Sequence, residues 1–161
     1  MKRSLKNQGF MAIEILIAVS IIAISILAAT AVAQKSIYVS RQSFHTTQSS
    51  FLLEEGAEAI RISRDNAWSN ISGLTNNVNY YPKFSNGTWS LTTNSTDGIV
   101  GIFTRTIRVA DVNRDNTTKD IVASGGTVDT GTRLVTISVS WIEGGRTVTK
   151  TLKFYIADIF S

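Results

Sequence analysis

One side chain capable of chemistry stands out because it is a carboxylate in an unexpected place. In "NQGFMAIEILIAV", Asn7 to Val19, Glu14 interrupts an apolar run otherwise suited to lipid. A carboxylate within a spanning helix costs on the order of 2.5–3.5 kcal/mol on insertion scales and commonly marks a functional pairing. The plainer account is an acid in a first helical turn complementing the macrodipole. Gly9 supplies a sharper one. Cleavage between Gly9 and Phe10 creates an α-amine four residues before Glu14, which places a cation within one helical turn of the carboxylate.

The remaining candidates are weaker. "DVNRDN" sets Asp111, Asn113 and Asp115 at positions one, three and five, as at the start of an EF-hand calcium loop. The pattern then breaks, with Arg114 and Asn116 around the glycine region and Val122 at position twelve where a glutamate belongs. A solvated turn, in which Asp and Asn bond backbone amides, is the main expectation there, with a calcium site on these three residues as the minor one. There is no cysteine, so neither a disulfide nor a thiolate metal site can form. The single histidine, His45, rules out a histidine cluster and reads as a surface or packing residue. Glu54, Glu55 and Glu58 form a charged helix face. With no nucleophile–base pair and no phosphate-cradling glycine loop, no enzyme, cofactor or resident metal is expected. The N-x-S/T sequons at Asn70, Asn86, Asn94 and Asn116 speak mainly for a polar surface.

The elements that must carry these residues follow from composition. The 161 residues suffice for one modest domain and an anchor. Net charge is +4, but Lys2, Arg3 and Lys6 lie in the first nine residues, and the rest holds 13 basic against 12 acidic side chains. A body so evenly balanced gives no support to direct nucleic-acid binding, which needs Lys and Arg gathered on one face. The run 10–33 has Glu14 as its only charge. As a helix it spans about 36 Å, enough to cross a bilayer's hydrocarbon core. The basic leader 1–9 places the N-terminus in the cytoplasm and the body outside. A secretory signal peptide is the rival, although the run is longer than a typical apolar signal core.

"KNQGFMAIEILIAVSII" resembles the prepilin leader of type IV pilins and type II secretion pseudopilins: a short basic leader, a terminal glycine, a phenylalanine, a glutamate at the fifth mature position and an apolar helix. The resemblance implies cutting at Gly9–Phe10 by a prepilin peptidase, which also methylates the new amine on Phe10. It implies that Glu14 pairs with the N-terminal amine of a neighbouring subunit and sets register as subunits enter the filament, with an inner-membrane assembly platform as a further partner. Many filament-forming members carry a glycine and a proline near the places held here by Ala23 and Ala31, so a local melting of the helix does not carry over. "LLEEGAEAIRISRDNAW" is also similar to a run in small bacterial minor pilins, and Trp68 is expected to plug the junction between helix and sheet.

Beyond the anchor, Ile37, Phe44, Phe51 and Ala59 with Ile62 recur at spacings near seven, among polar residues, so 34–68 reads as the amphipathic half of the same helix. A helix from 10 to about 66 would measure about 85 Å. From 69 to 161 the composition turns to Asn, Ser, Thr, Gly and β-branched residues, with expected strands at 78–83, 88–93, 99–109, 134–142 and 147–156. The last two alternate apolar and polar residues and are joined by "EGGR", a hairpin signal. The ending "FYIADIFS" suggests that the last strand is central or that its tail docks back. The polar stretch 111–131 reads as a long irregular loop.

The fold class expected is therefore α+β: a long N-terminal helix, part transmembrane and part amphipathic, packed on a C-terminal antiparallel sheet in a pilin-like arrangement. The expected role is a structural subunit, a minor pilin or pseudopilin of a type IV pilus-like filament. Its partners would be other such subunits, the peptidase, the platform and membrane lipid. It would be a single-pass protein of the cytoplasmic membrane with its C-terminal domain outside, and after assembly part of a filament. The alternative is a membrane-anchored extracellular binding or adhesion module that does not polymerise.

Overall fold

The computed structural model describes residues 8–159, with side chains described from Met11 onward. The chain divides between Phe44 and His45 into two units. Helix α1, Gln8–Asn66, supplies all of the described part of the first unit and the opening element of the second. No proline or glycine falls between Phe10 and Glu55, so nothing removes a backbone bond or loosens the chain, and Ala23 and Ala31 lie in unbroken helix. Asn66 ends it, and a single further turn, α2 (Ser69–Ser72), runs into Gly73.

In the second unit the C-terminal part of α1 packs on an antiparallel sheet, so the chain is α+β. The strands are β1 (Tyr81–Ser85), β2 (Thr88–Thr92), β3 (Ile99–Val100), β4 (Phe103–Arg114), β5 (Ile121–Val122), β6 (Thr127–Glu143) and β7 (Arg146–Ala157). Five of them form one sheet in the order β3-β4-β6-β7 with β5 also on β4, while β1 and β2 form a separate hairpin. Glycines with positive φ set two turns: Gly144 and Gly145 close β6 onto β7, and Asn86 with Gly87 closes β1 onto β2.

The dry face follows the period of two. Phe103, Ile107 and Val109 of β4 alternate with half-buried or exposed residues, as do Val135, Ile137, Val139 and Trp141 of β6. Against them α1 sets Leu52, Ala57 and Ile60. The covering stripe continues through Ser49, Gly56, Ala59 and Ser63, all buried. This differs from the seven-residue pattern of bulky side chains: Phe51 is 65% exposed, and in the first unit Ile37 and Phe44 are exposed as well. The sheet-facing side of α1 is built mostly from small residues because the backbones approach closely. A Cβ on Gly56 would stand 3.0 Å from Ile137 Cγ2.

Three further expectations are corrected, and of the two offered for the chain's end the docked tail holds. The segment 99–109 is not one strand, because Gly101, at φ +60, turns the chain between β3 and β4. The stretch 111–131 is largely ordered: β4 runs on past a bulge at Asp111/Val112, and β6 starts at Thr127. β7 is an edge strand and not a central one, although its tail does dock back through Asp158 N–H to the Gly131 carbonyl at 2.9 Å. Nor does one sheet hold all the strands, since β1 and β2 stand apart. Trp68 packs against the main core cluster and donates its indole N–H to the Thr130 carbonyl, which ties the end of α1 to β6.

Candidate functional site

The first unit contains a helix long and apolar enough to cross a membrane. From residue 11 to 33 its polar side chains are Glu14, Ser20, Ser25 and Thr30. The three hydroxyls close onto their own helix: Ser20 Oγ donates to the Leu16 carbonyl at 2.7 Å, Ser25 Oγ to Ile21 at 2.7 Å and Thr30 Oγ1 to Leu27 at 2.9 Å. A hydroxyl bonded this way brings little polarity into an apolar setting. Glu14 has no such partner among the described residues. It is exposed, with Met11, Ile13, Ile15 and Ile17 exposed around it. Gly9 and Phe10 lie in the first turn of α1, but the side chain of Phe10, like Lys2, Arg3 and Lys6, is outside the described residues.

The calcium-loop residues are given separate partners. Asp111 accepts from Arg133 and from Asn76. Asn113 lies in the ladder opposite Val122 and Val128. Asp115 Oδ1 accepts from the Thr117 and Thr118 amides at 2.7 and 2.8 Å. Asp111 lies in β4 at its bulge, whereas Asp115 lies in the turn beyond the strand's end at Arg114. The solvated-turn expectation describes Asp115 well, and the Thr118 and Thr117 amides hold its carboxyl below the usual carboxylate range.

The same region carries a second depressed carboxyl. Arg114 Nε donates to Asp129 Oδ2 at 2.6 Å, and the Thr132 hydroxyl and Gly131 amide add to the shift, so Asp129 also sits below its ordinary value. A carboxyl with a lowered folded pKa contributes stability above its unfolded value, about 3.9, and that contribution is lost as pH falls through the folded value. Acidification below about pH 4 is therefore expected to loosen the outer ends of β4 and β6 first. Amide exchange measured at residues 112–130 checks this, and Asp129→Asn should remove part of the pH dependence. Uniform exchange along β6 through that range would contradict the assignment.

Two polar clusters were not anticipated. Glu143, 9% exposed, accepts from Trp141 Nε1 at 2.8 Å and pairs with His45 Nδ1 at 2.8 Å, while the His45 ring meets Phe103 edge-on. His45 and Glu143 are 98 residues apart in sequence. The only local signal was Trp141, two residues from Glu143 and so on the same face of β6. Arg105, 2% exposed, donates to the Leu52 carbonyl, pairs with Glu55 at 3.2 Å and lies over the Trp89 ring. Both clusters fasten the C-terminal part of α1 to the sheet. Neither presents a nucleophile beside a base, and no cluster of three or more metal-ligating side chains occurs among the described residues. No protein-family model, curated protein or solved structure matches the chain.

Proposed function

We propose that this chain is a structural subunit, a minor pilin or pseudopilin, of a type IV pilus-like filament. In this reading a prepilin peptidase cuts at Gly9–Phe10 on the cytoplasmic side. The helix then anchors the chain in the membrane until an assembly platform moves it into the filament. Glu14 meets the new amine of a neighbouring copy, and the sheet domain faces outward.

The observation that supports it most is the contrast inside the apolar part of α1. Every other polar side chain from 11 to 33 bonds to its own helix, and Glu14 alone has no described partner. A carboxylate kept in lipid at a cost of about 2.5–3.5 kcal/mol needs a cation, and the α-amine that cutting before residue 10 creates on a neighbouring copy supplies one. Exposed Ile37 and Phe44 in the first unit, and Phe51 in the second, add apolar helix surface that packing against other copies would cover.

The test is the mature N-terminus, read by mass spectrometry on protein from its native membrane. The expected start is Phe10, with a methylated amine. A start at Met1 would leave a plain signal anchor carrying a surface domain, and a start near Gln34 would leave a secreted domain; either result removes the filament reading.

A further inference from the structure

Strand β7 offers an open edge 12 residues long. Among the described residues it pairs only with β6. The opposite edge of the sheet is occupied, since β4 is met by β3 at one end, by the Tyr80–Ile107 bridge in its middle and by β5 at the other.

The turn fixes which backbone groups the open edge presents. Glu143 and Arg146 flank the two-residue Gly144–Gly145 loop and form its closing hydrogen-bonded pair. Such pairs alternate with non-bonded ones along an antiparallel ladder. The even-numbered residues from 146 to 156 therefore direct their amides and carbonyls to β6. Thr147, Thr149, Thr151, Lys153 and Tyr155 direct theirs away from the sheet, and all five are exposed. An unpaired row of this length is a template for another strand.

Charge narrows the occupant. Residues 146–157 contain Arg146, Lys150 and Lys153 and no acid. All three cations are exposed and make no ion pair among the described residues. A second copy is a poor fit. Two β7 strands paired antiparallel about Thr151 would bring six cations and no acid onto one ladder, with Lys150 opposite Leu152 and Lys153 opposite Thr149, so no cation finds a counter-charge and the like charges repel. Joining β7 of one copy to the far edge of the next is blocked by β3, Tyr80 and β5.

We propose that the β7 edge binds an extended, acidic peptide segment of another protein as an added strand. The backbone groups of Thr147 to Tyr155 supply the ladder, and Arg146, Lys150 and Lys153 select acidic side chains. Lysines on an edge also guard against aggregation. A guard that binds nothing and a strand acceptor give different results in one experiment.

The experiment uses the full chain in detergent micelles and fluorescent ten-residue peptides alternating valine with glutamate, glutamine or lysine, read by anisotropy. The expected order is glutamate tightest, with glutamate over lysine by at least about tenfold, and an affinity that falls as salt rises. Thr149→Pro removes one outward amide without touching the β6 ladder and should abolish binding. Lys150→Gln with Lys153→Gln leaves the backbone intact; it should weaken the glutamate peptide by about three- to tenfold and leave the glutamine peptide unchanged. No binding by any peptide, or equal binding of the glutamate and lysine peptides, overturns the proposal. So does glutamate-peptide binding indifferent to the double glutamine variant. A wild-type dimer that Thr149→Pro dissolves would assign the edge to a second copy and overturn it equally. None of these outcomes depends on cleavage at Gly9 or on Glu14.

Discussion

Under the proposed filament role, replacing Glu14 with alanine is expected to reduce incorporation into filaments by more than about a hundredfold while leaving membrane insertion intact. Stripping one partner from an ion pair buried in a low-dielectric setting costs about 3–5 kcal/mol, because the other charge is left unpaired. At about 1.4 kcal/mol per factor of ten, that range exceeds two orders of magnitude. Insertion moves the other way, since removing the carboxylate relieves its cost in lipid. The two readouts are the subunit's share of sheared filaments and its share of washed membranes. Glu14→Asp keeps the charge on a shorter arm and should recover part of the assembly. Filaments from the alanine variant at wild-type level would sink the pairing mechanism.

The second large effect lies at the contact of helix and sheet. Ile137 is fully buried at the centre of β6 and fills the notch that Gly56 leaves on α1. Ile137→Ala should destabilise the second unit by about 2–5 kcal/mol, the loss of buried methyl groups plus the cavity left behind. Chemical denaturation of the full chain in micelles, followed at its tryptophans, checks this: the midpoint should fall with an unchanged slope. A shift corresponding to less than about 1 kcal/mol would mean that α1 moves in to fill the space, and that the close approach at Gly56 is not a fixed feature.

The parts of the molecule legible in the sequence were those set by local rules. An apolar run without glycine or proline announced α1, strict alternation announced the apolar faces of β6 and β7, and Gly144–Gly145 announced the turn into β7. Errors arose where a residue's role depends on a distant partner. Phe44 and Phe51 drew attention as bulky residues on a helix and are exposed, whereas Ala59 of the same pattern is buried with Ser49, Gly56 and Ser63, whose small size matters only because a sheet lies against them. Glu143 looked like part of a wet turn because His45 lies 98 residues away. The stretch 111–131 looked irregular because its order rests on Arg114 bonding to Asp129 across the strands and on Asp115 holding the Thr117 amide in the turn, with little apolar alternation to signal it. Gly101 did carry a local signal, a glycine inside a strand pattern, which reads as a bend. For the candidate site, Glu14 was prominent from the outset because a charge in an apolar run needs no partner in view to be conspicuous.

The small-residue stripe also bears on the order of folding. β4, β6 and β7 lie close in sequence, with only the two-residue β5 between the first two, and pair antiparallel in that order, and the glycine turn between β6 and β7 closes a short loop. Docking of α1 joins Ala57 and Ile60 to residues such as Val135 and Ile137, contacts of high sequence separation that form slowly. The ribbon of strands is thus expected to appear before its cover. In that interval Val135, Ile137 and Val139 face water, and a chain arrested there is the species at risk of aggregation.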